Sequence, residues 1–290
     1  MRVVVKAPAK VNLSLDITGT REDGYHLLKT VMQSIDLCDV VTVSDDGKEG
    51  SGITVICDED VPTIEKNIAY KTVEAYFEAV EKEIPDVTIK IKKKIPIAAG
   101  LGGASADAAA VLMALDKIFD YPLTDDEMLE LATSIGADVP FCMCGGTAVA
   151  EGIGGLISPL PDMPECYLVL CKPCNKTSTA EMYRLYDKKG STKTVEVEDM
   201  IDAICSADLE GIGDTMGNVF EELYGVDMYD DIRKIMKENN ALGMGLTGSG
   251  PTYVGLFENK SDASDCVSDL KKEYDDVYLT EPLNSGCYID

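Results

Sequence analysis

Histidine is nearly absent from this chain: His26 is the only one in 290 residues. That scarcity excludes a mechanism built on a histidine triad and any metal site made of several imidazoles. Proton abstraction then falls to carboxylates, which points toward phosphoryl transfer and away from most hydrolase and metalloprotease chemistry. Positive charge is also short, with 26 Lys and Arg against 52 Asp and Glu and a formal net charge of −26. A surface so acidic repels the phosphate backbone, so nonspecific binding to nucleic acid or to an anionic membrane is excluded. No apolar run reaches the roughly 18 residues that a spanning helix needs. The opening Met1-Arg-Val-Val-Val-Lys6 is basic, but its apolar stretch is too short for a secretory core, and a cytoplasmic protein is expected. Ten cysteines are scattered with no framework spacing, which reads as reduced and mostly buried thiols. The close pairs are Cys142/Cys144 and Cys171/Cys174; the second has the Cys-x-x-Cys spacing of redox and zinc sites but as a single copy, so buried thiols are the expectation and a redox or metal role for Cys171/Cys174 stays open. Solenoid repeats and low-complexity tracts are missing too.

What is present is a chain of 45% hydrophobic residues, long enough for two α+β domains. The boundary falls in the Gly- and Pro-rich stretch Gly152 to Pro164, giving domains 1–158 and 159–290. In the first, Val3 to Val5 and Val11 to Ile17 read as strands. Val40 to Ser44 and Ile53 to Cys57 flank a polar turn and read as a hairpin. Apolar residues at helical spacing follow from Asn67 to Glu83, then a strand Val87 to Ile91, a glycine turn and an alanine-rich helix from Ser105 to Phe119. Thr124 with Glu127 is a capping-box pattern, and Gly136 ends the helix it opens. Asp138, before Val139-Pro140, is placed as the N-cap of another. In the second domain, strand Tyr167 to Cys171 precedes a helix from the Ser178/Glu181 box. Helices through Val197 to Asn240, strands around Met244 and Tyr253, a helix Ser261 to Tyr274 and a strand Val277 to Thr280 complete a sheet with helices on one face.

Four segments carry chemistry. Gly100-Leu-Gly-Gly-Ala-Ser105, between a strand and a helix, suits a phosphate. Glycines let backbone N–H groups approach the anion, and the helix N-terminus supplies partial positive charge and free donors. It is not a Walker A loop, since no Gly-Lys-Ser/Thr follows, and it lacks the dinucleotide spacing. Lys10 and Asn12, two residues apart on a strand, share a face. Asp138 is either a carboxylate base or a plain helix cap. Gly243 to Pro251 is a second glycine-rich stretch, readable as a tight hairpin. Lys90, Lys92, Lys93 and Lys94 form the densest basic run, a local exception for an anionic substrate or the solvent face of an edge strand.

Together these segments resemble the GHMP kinase superfamily, in the same order and over nearly the whole chain. The carriers are Pro8-Ala-Lys-Val-Asn-Leu13, Arg21-Glu-Asp-Gly-Tyr-His26, the Pro96 to Asp107 loop and Ile135-Gly-Ala-Asp-Val-Pro140. The Gly-Tyr-His run is similar to the branch acting on a cytidine-diphosphate-linked methylerythritol in non-mevalonate isoprenoid synthesis, not to homoserine, mevalonate or galactose kinases. The resemblance implies a two-domain α+β GHMP kinase fold, an N-terminal domain like the second domain of ribosomal protein S5 and a ferredoxin-like C-terminal domain. It implies ATP and Mg2+, a small-molecule substrate carrying a cytidine diphosphate group, and a monomer or weak homodimer. Lys10 and Asp138 become the catalytic pair. Asn12, Tyr25, His26 and Tyr183 bind the substrate, with Tyr25, His26 and Tyr183 around its base. Asn67, Lys93 and the loop Pro96, Ile97, Ala98, Ala99, Gly100, Leu101, Gly102, Gly103, Ala104, Ser105 and Ala106 hold the nucleotide. Ala104 and Ala106 depart from relatives that have glycine and serine there. The metal ligands stay unassigned, with Ser105 the better candidate.

Overall fold

The computed structural model describes residues 1–45, 52–59, 67–120, 122–174, 178–190, 194–224 and 228–289. Strand β1 (Arg2–Thr20) is one element of 19 residues, where the sequence suggested two short strands. Pro8 hid its continuity. The ladder to β2 (His26–Asp45) tolerates that proline because the register shifts between Pro8 and Ala9, and again between Asn12 and Ser14. Bulges relax pairing and re-aim side chains, so Lys10 and Asn12 lie in a short stretch set between two irregularities.

The expected hairpin does not form. Strand β3 (Ile53–Cys57) runs parallel to β4 (Val87–Lys92), which itself pairs antiparallel with β2. The intervening turn lies, apart from Asp45 and Gly52, outside the described residues. Strand β4 is therefore interior, not an edge. Its alternation is as read, with Val87, Ile89 and Ile91 buried and Lys90 and Lys92 exposed. Helix α1 (Ile68–Ala79) precedes it, shorter than the expected span. Helices α2 (Gly103–Ile118), α3 (Asp125–Ile135) and α4 (Val139–Cys144) follow. The buried alanines of α2, from Ala106 to Ala114, let it lie close across β1 and β2. The Thr124/Glu127 capping box is present in both directions. Strands β5 (Thr147–Gly152) and β6 (Leu156–Pro159) extend the sheet from the other half of β2.

The second sheet is antiparallel. Its order is β11-β7-β10-β9, from β7 (Tyr167–Lys172), β9 (Gly243–Leu246), β10 (Tyr253–Phe257) and β11 (Asp276–Thr280). Between β7 and β9 come α5 (Thr179–Lys189), α6 (Val197–Cys205), α7 (Leu209–Thr215), the short strand β8 (Gly217–Asn218), a 3-10 turn at Glu221–Tyr224 and α8 (Asp230–Glu238). Helix α9 (Lys260–Leu270) packs on β7, β10 and β11. Two later segments return to the first sheet: β8 lies parallel to β1, and β12 (Tyr288–Ile289) pairs with β1 at Val5 and Lys6. Among the described residues no helix is long and apolar enough to cross a membrane.

Candidate active site

A cavity of about 1140 Å³ opens beside the first sheet. It is walled by β1, the glycine loop, α5 and the 247–250 turn, and it gathers almost every residue that the sequence singled out. Lys10, Asn12, Tyr25, His26, Asn67, Lys93, Pro96 through Ser105, Asp138 and Tyr183 all line it. Ala106 does not; it is fully buried in the core.

The loop turns through positive φ at Ala98, Gly100 and Gly102. At Gly100 glycine is required twice over. Its φ is +81°, and a Cβ there would lie 2.7 Å from the Thr247 carbonyl oxygen and 2.8 Å from that of Gly250. The second glycine stretch is thus a hairpin between β9 and β10, as its pattern suggested, and also the floor against which the first loop rests. Gly102 is the N-cap of α2 and contributes no side-chain bond. The first-turn amides of α2 are left for an anion, where helix partial charge favours one.

Lys10 is almost fully buried. Its Nζ donates to Asn12 Oδ1 at 2.8 Å and lies 3.3 Å from Asp138 Oδ2. Asn12 is fixed in turn: its N–H donates to Thr247 Oγ1 and its Nδ2 to Thr30 Oγ1, each at 2.8 Å. The Thr30 hydroxyl donates onward to the Ser14 carbonyl at 2.6 Å. Asp138 stands at the N-cap position of α4 yet makes no capping hydrogen bond. The expectation that its side chain caps the helix is corrected. Its carboxylate, 35% exposed, faces Lys10 and the cavity instead. A carboxylate open to solvent beside a buried, fully oriented ammonium can accept a hydroxyl proton and stabilise the charge that develops.

Two residues assigned to the nucleotide also have structural work. Asn67 is the N-cap of α1, its side chain accepting from the Ala69 N–H at 2.8 Å. Lys93, the residue of the basic run that lines the cavity, is not a solvated lysine. Its ammonium sits between Asp39 and Asp107, 2.7 Å from Asp107 Oδ2. Burial pulls the Lys93 pKa down, but the two carboxylates outweigh it and hold it above the usual lysine range. Asp39 also accepts from the Lys94 and Ile95 amides. Asp107 has no such support, and its Oδ1 is buried without a hydrogen bond. Burial therefore pushes its carboxyl upward.

On the α5 side, His26 stacks directly on Tyr183, ring centroids 4.9 Å apart and planes 28° apart. Tyr183 rests edge-on against Phe220. Burial raises its phenol to about 12, with the Asp138 charge adding to the effect. Tyr25 is 66% exposed in the same wall, and among the described residues it stacks on no ring. The three aromatic residues share a cavity, but the stacked pair is His26 with Tyr183 and no slot separates those rings. Sequence reading missed Asp187, whose Oδ1 accepts from His26 Nε2 at 2.8 Å. Thr247 and Ser249 lie in the glycine-rich stretch Gly243 to Pro251 that the sequence singled out, although neither was named as a site residue; Ser249 Oγ lies 3.0 Å from Thr179 Oγ1 at the start of α5. Spacing gives a partial signal for Asp187, four residues after Tyr183 and so on the same helical face.

Comparison with known proteins gives the family. Residues 67–146 match the model of the GHMP kinases N-terminal domain, and residues 200–276 that of the GHMP kinases C-terminal domain. The chain is 42% identical over 282 residues to the 4-diphosphocytidyl-2-C-methyl-D-erythritol kinase of Clostridium tetani, covering 96% of this chain and 99% of that protein. The enzyme of the same name from Clostridium acetobutylicum is 41% identical over 283 residues, with the same coverage. Among solved structures, a 4-(cytidine 5'-diphospho)-2C-methyl-D-erythritol kinase superposes with a TM-score of 0.79 at 29% identity, covering 97% of this chain and 99% of that one. Homoserine kinase from Cytophaga hutchinsonii reaches the same TM-score at 22% identity, over 100% of this chain and 97% of that one, a likeness of fold alone. A glycine cradle at a helix N-terminus, matches to both family domains and near-complete alignment with two curated relatives converge: the chain belongs to the GHMP kinases.

Proposed function

We propose that this protein is an ATP-dependent kinase that phosphorylates the 2-hydroxyl of 4-diphosphocytidyl-2-C-methyl-D-erythritol, a step of non-mevalonate isoprenoid precursor synthesis. The relatives that align with 96% of the chain carry that enzyme's name. The observation that carries the reading is the Lys10–Asp138 pair, 3.3 Å apart in the cavity that the glycine loop also lines.

In this reading the ATP phosphates lie along Pro96 to Ser105 and on the first-turn amides of α2, with Asn67 and Lys93 toward the rest of the nucleotide; Ala106, buried in the core, supports the loop from behind. Asp138 accepts the proton of the attacking hydroxyl, whose oxygen forms the bond to the γ-phosphorus as the bond to the ADP oxygen breaks. Lys10, held by Asn12, steadies the Asp138 carboxylate and the charge spreading over the transferred group. Positioning and electrostatics supply the rate, because phosphoryl transfer asks little covalent work of a protein. Asn12 meets the erythritol hydroxyls, and Tyr25, His26 and Tyr183 meet the cytosine.

Mg2+ belongs to this reading as the counter-ion of ATP, neutralising charge on the phosphates. Among the described residues no three His, Cys, Asp or Glu side chains gather as a metal site. The donors lining the cavity near the loop, the Ser105 hydroxyl and the Asp138 carboxylate, fit an ion that arrives with its ligands mostly from phosphate and water. The division into domains at 158/159, a monomeric or weakly dimeric state and a cytoplasmic location complete the proposal. The test is ATP consumption against a panel of the cytidyl methylerythritol, homoserine, mevalonate and galactose. Turnover confined to the first supports the reading, and turnover of another alcohol in its place overturns it.

A further inference from the structure

The contact between His26 and Asp187 has no part in the chemistry above, yet it sits where the base would be read. Four observations bear on it. Asp187 lines the same cavity as Lys10 and the glycine loop. It stands one helical turn after Tyr183 on α5, so the two side chains share a face. The His26 side chain is only 9% exposed, held between Tyr183 and Asp187, while the Asp187 side chain is 60% exposed. Finally, the carboxylate uses Oδ1 to accept from His26 Nε2, and its Oδ2 makes no hydrogen bond to a described residue.

We infer that Asp187 is a specificity-determining residue: its free carboxylate oxygen accepts the exocyclic amino group of a cytosine, and selects it over uracil. The inference rests on the cytidyl substrate proposed above. An ionised carboxylate is an acceptor only. Cytosine offers an amino donor at C4, while uracil offers a carbonyl oxygen at the same place, so the one base is bound and the other repelled. His26 locks the carboxylate, and the His26–Tyr183 stack sets its height beside the ring. A single hydrogen bond to a largely exposed side chain contributes little stability by itself, so the arrangement is better explained by a ligand than by the fold.

The experiment compares kcat/KM for the cytidyl substrate and its uridyl analogue in the wild type, Asp187→Ala and Asp187→Asn. Hydrogen bonds to charged groups predict that Asp187→Ala narrows the cytidyl preference by about 10- to 150-fold. In Asp187→Asn the amide oxygen can still accept from His26 while an NH2 donor replaces the free oxygen, so the preference shifts further, toward the uridyl compound. A residue acting only through His26 would give an Asn variant that keeps the wild-type preference, and that result overturns the inference. So does an unchanged ratio in both variants of an enzyme that itself prefers the cytidyl substrate. A wild type that leaves the cytidyl substrate unphosphorylated instead overturns the substrate reading on which the inference stands.

Discussion

Replacing Asp138 with Asn separates a base from a helix cap. The carboxylate makes no capping bond to α4 and is 35% exposed, so its removal takes no hydrogen bond from the helix. What is lost on folding is a partly solvated ion pair with Lys10, and such pairs contribute about 1 kcal/mol or less. Lys10 keeps its contact with Asn12 Oδ1 at 2.8 Å, so the buried ammonium retains a partner. Stability should therefore fall by no more than ~1 kcal/mol. Turnover should fall by about 10²- to 10⁴-fold, the usual cost of losing a general base, which is roughly 3 to 5.5 kcal/mol of barrier. Because the interaction is made in the transition state, kcat and kcat/KM should drop together. The assays are coupled ADP release, ATP titration by calorimetry and thermal melting on one preparation. Near-normal turnover refutes the role. A stability loss above ~2 kcal/mol with matching loss of folded protein refutes the structural argument instead.

Three other outcomes follow from the same geometry. Lys93→Met strands Asp39 and Asp107 without their cation, and breaking a buried pair this way costs about 3 to 5 kcal/mol; urea unfolding with an unchanged midpoint would dispose of the triad as a stabilising unit. Gly100→Ala forces a positive φ and two backbone overlaps, so it should cost at least ~1 to 3 kcal/mol of strain and weaken ATP binding; calorimetry showing wild-type affinity refutes the interlocked loops. Tyr183→Ala should weaken the cytidyl substrate by about 5- to 150-fold, since stacking on an aromatic contributes about 1 to 3 kcal/mol per base. ATP affinity should hold, and equal losses for both ligands count against a base platform.

Local signals were legible where the physics is local. Thr124 with Glu127, and Ser178 with Glu181, are capping patterns whose donors and acceptors lie within one turn, and both helices begin there. The alternation Val87, Ile89, Ile91 gave the buried face of β4. Pairing was not legible. Ile53–Cys57 alternates well enough to join either neighbour, and the sheet resolves the choice by inserting β4 beside β2. Lys93 misleads for a related reason: its carboxylates come from Asp39 and Asp107, 54 and 14 residues away, and a run of lysines reads as solvated. Asp138 carried two meanings because aspartate before a helix is favoured both as cap and as anion. His26 and Asp187 are 161 residues apart, and only the fold joins them.

The interlock at Gly100 has a consequence for how the protein is made. Ribosomes release the chain from its N-terminus, so Lys10, Asp138 and the glycine loop emerge long before Thr247 and Gly250, the residues on which that loop rests. Strand β1 waits longer still for its outer neighbour β12, at Tyr288–Ile289. A nascent chain that already holds Lys10, Asp138 and the glycine loop thus lacks the surface on which that loop rests. Activity should switch on late in synthesis, and a chain cut short before residue 250 should hold the proposed catalytic pair without the power to use it.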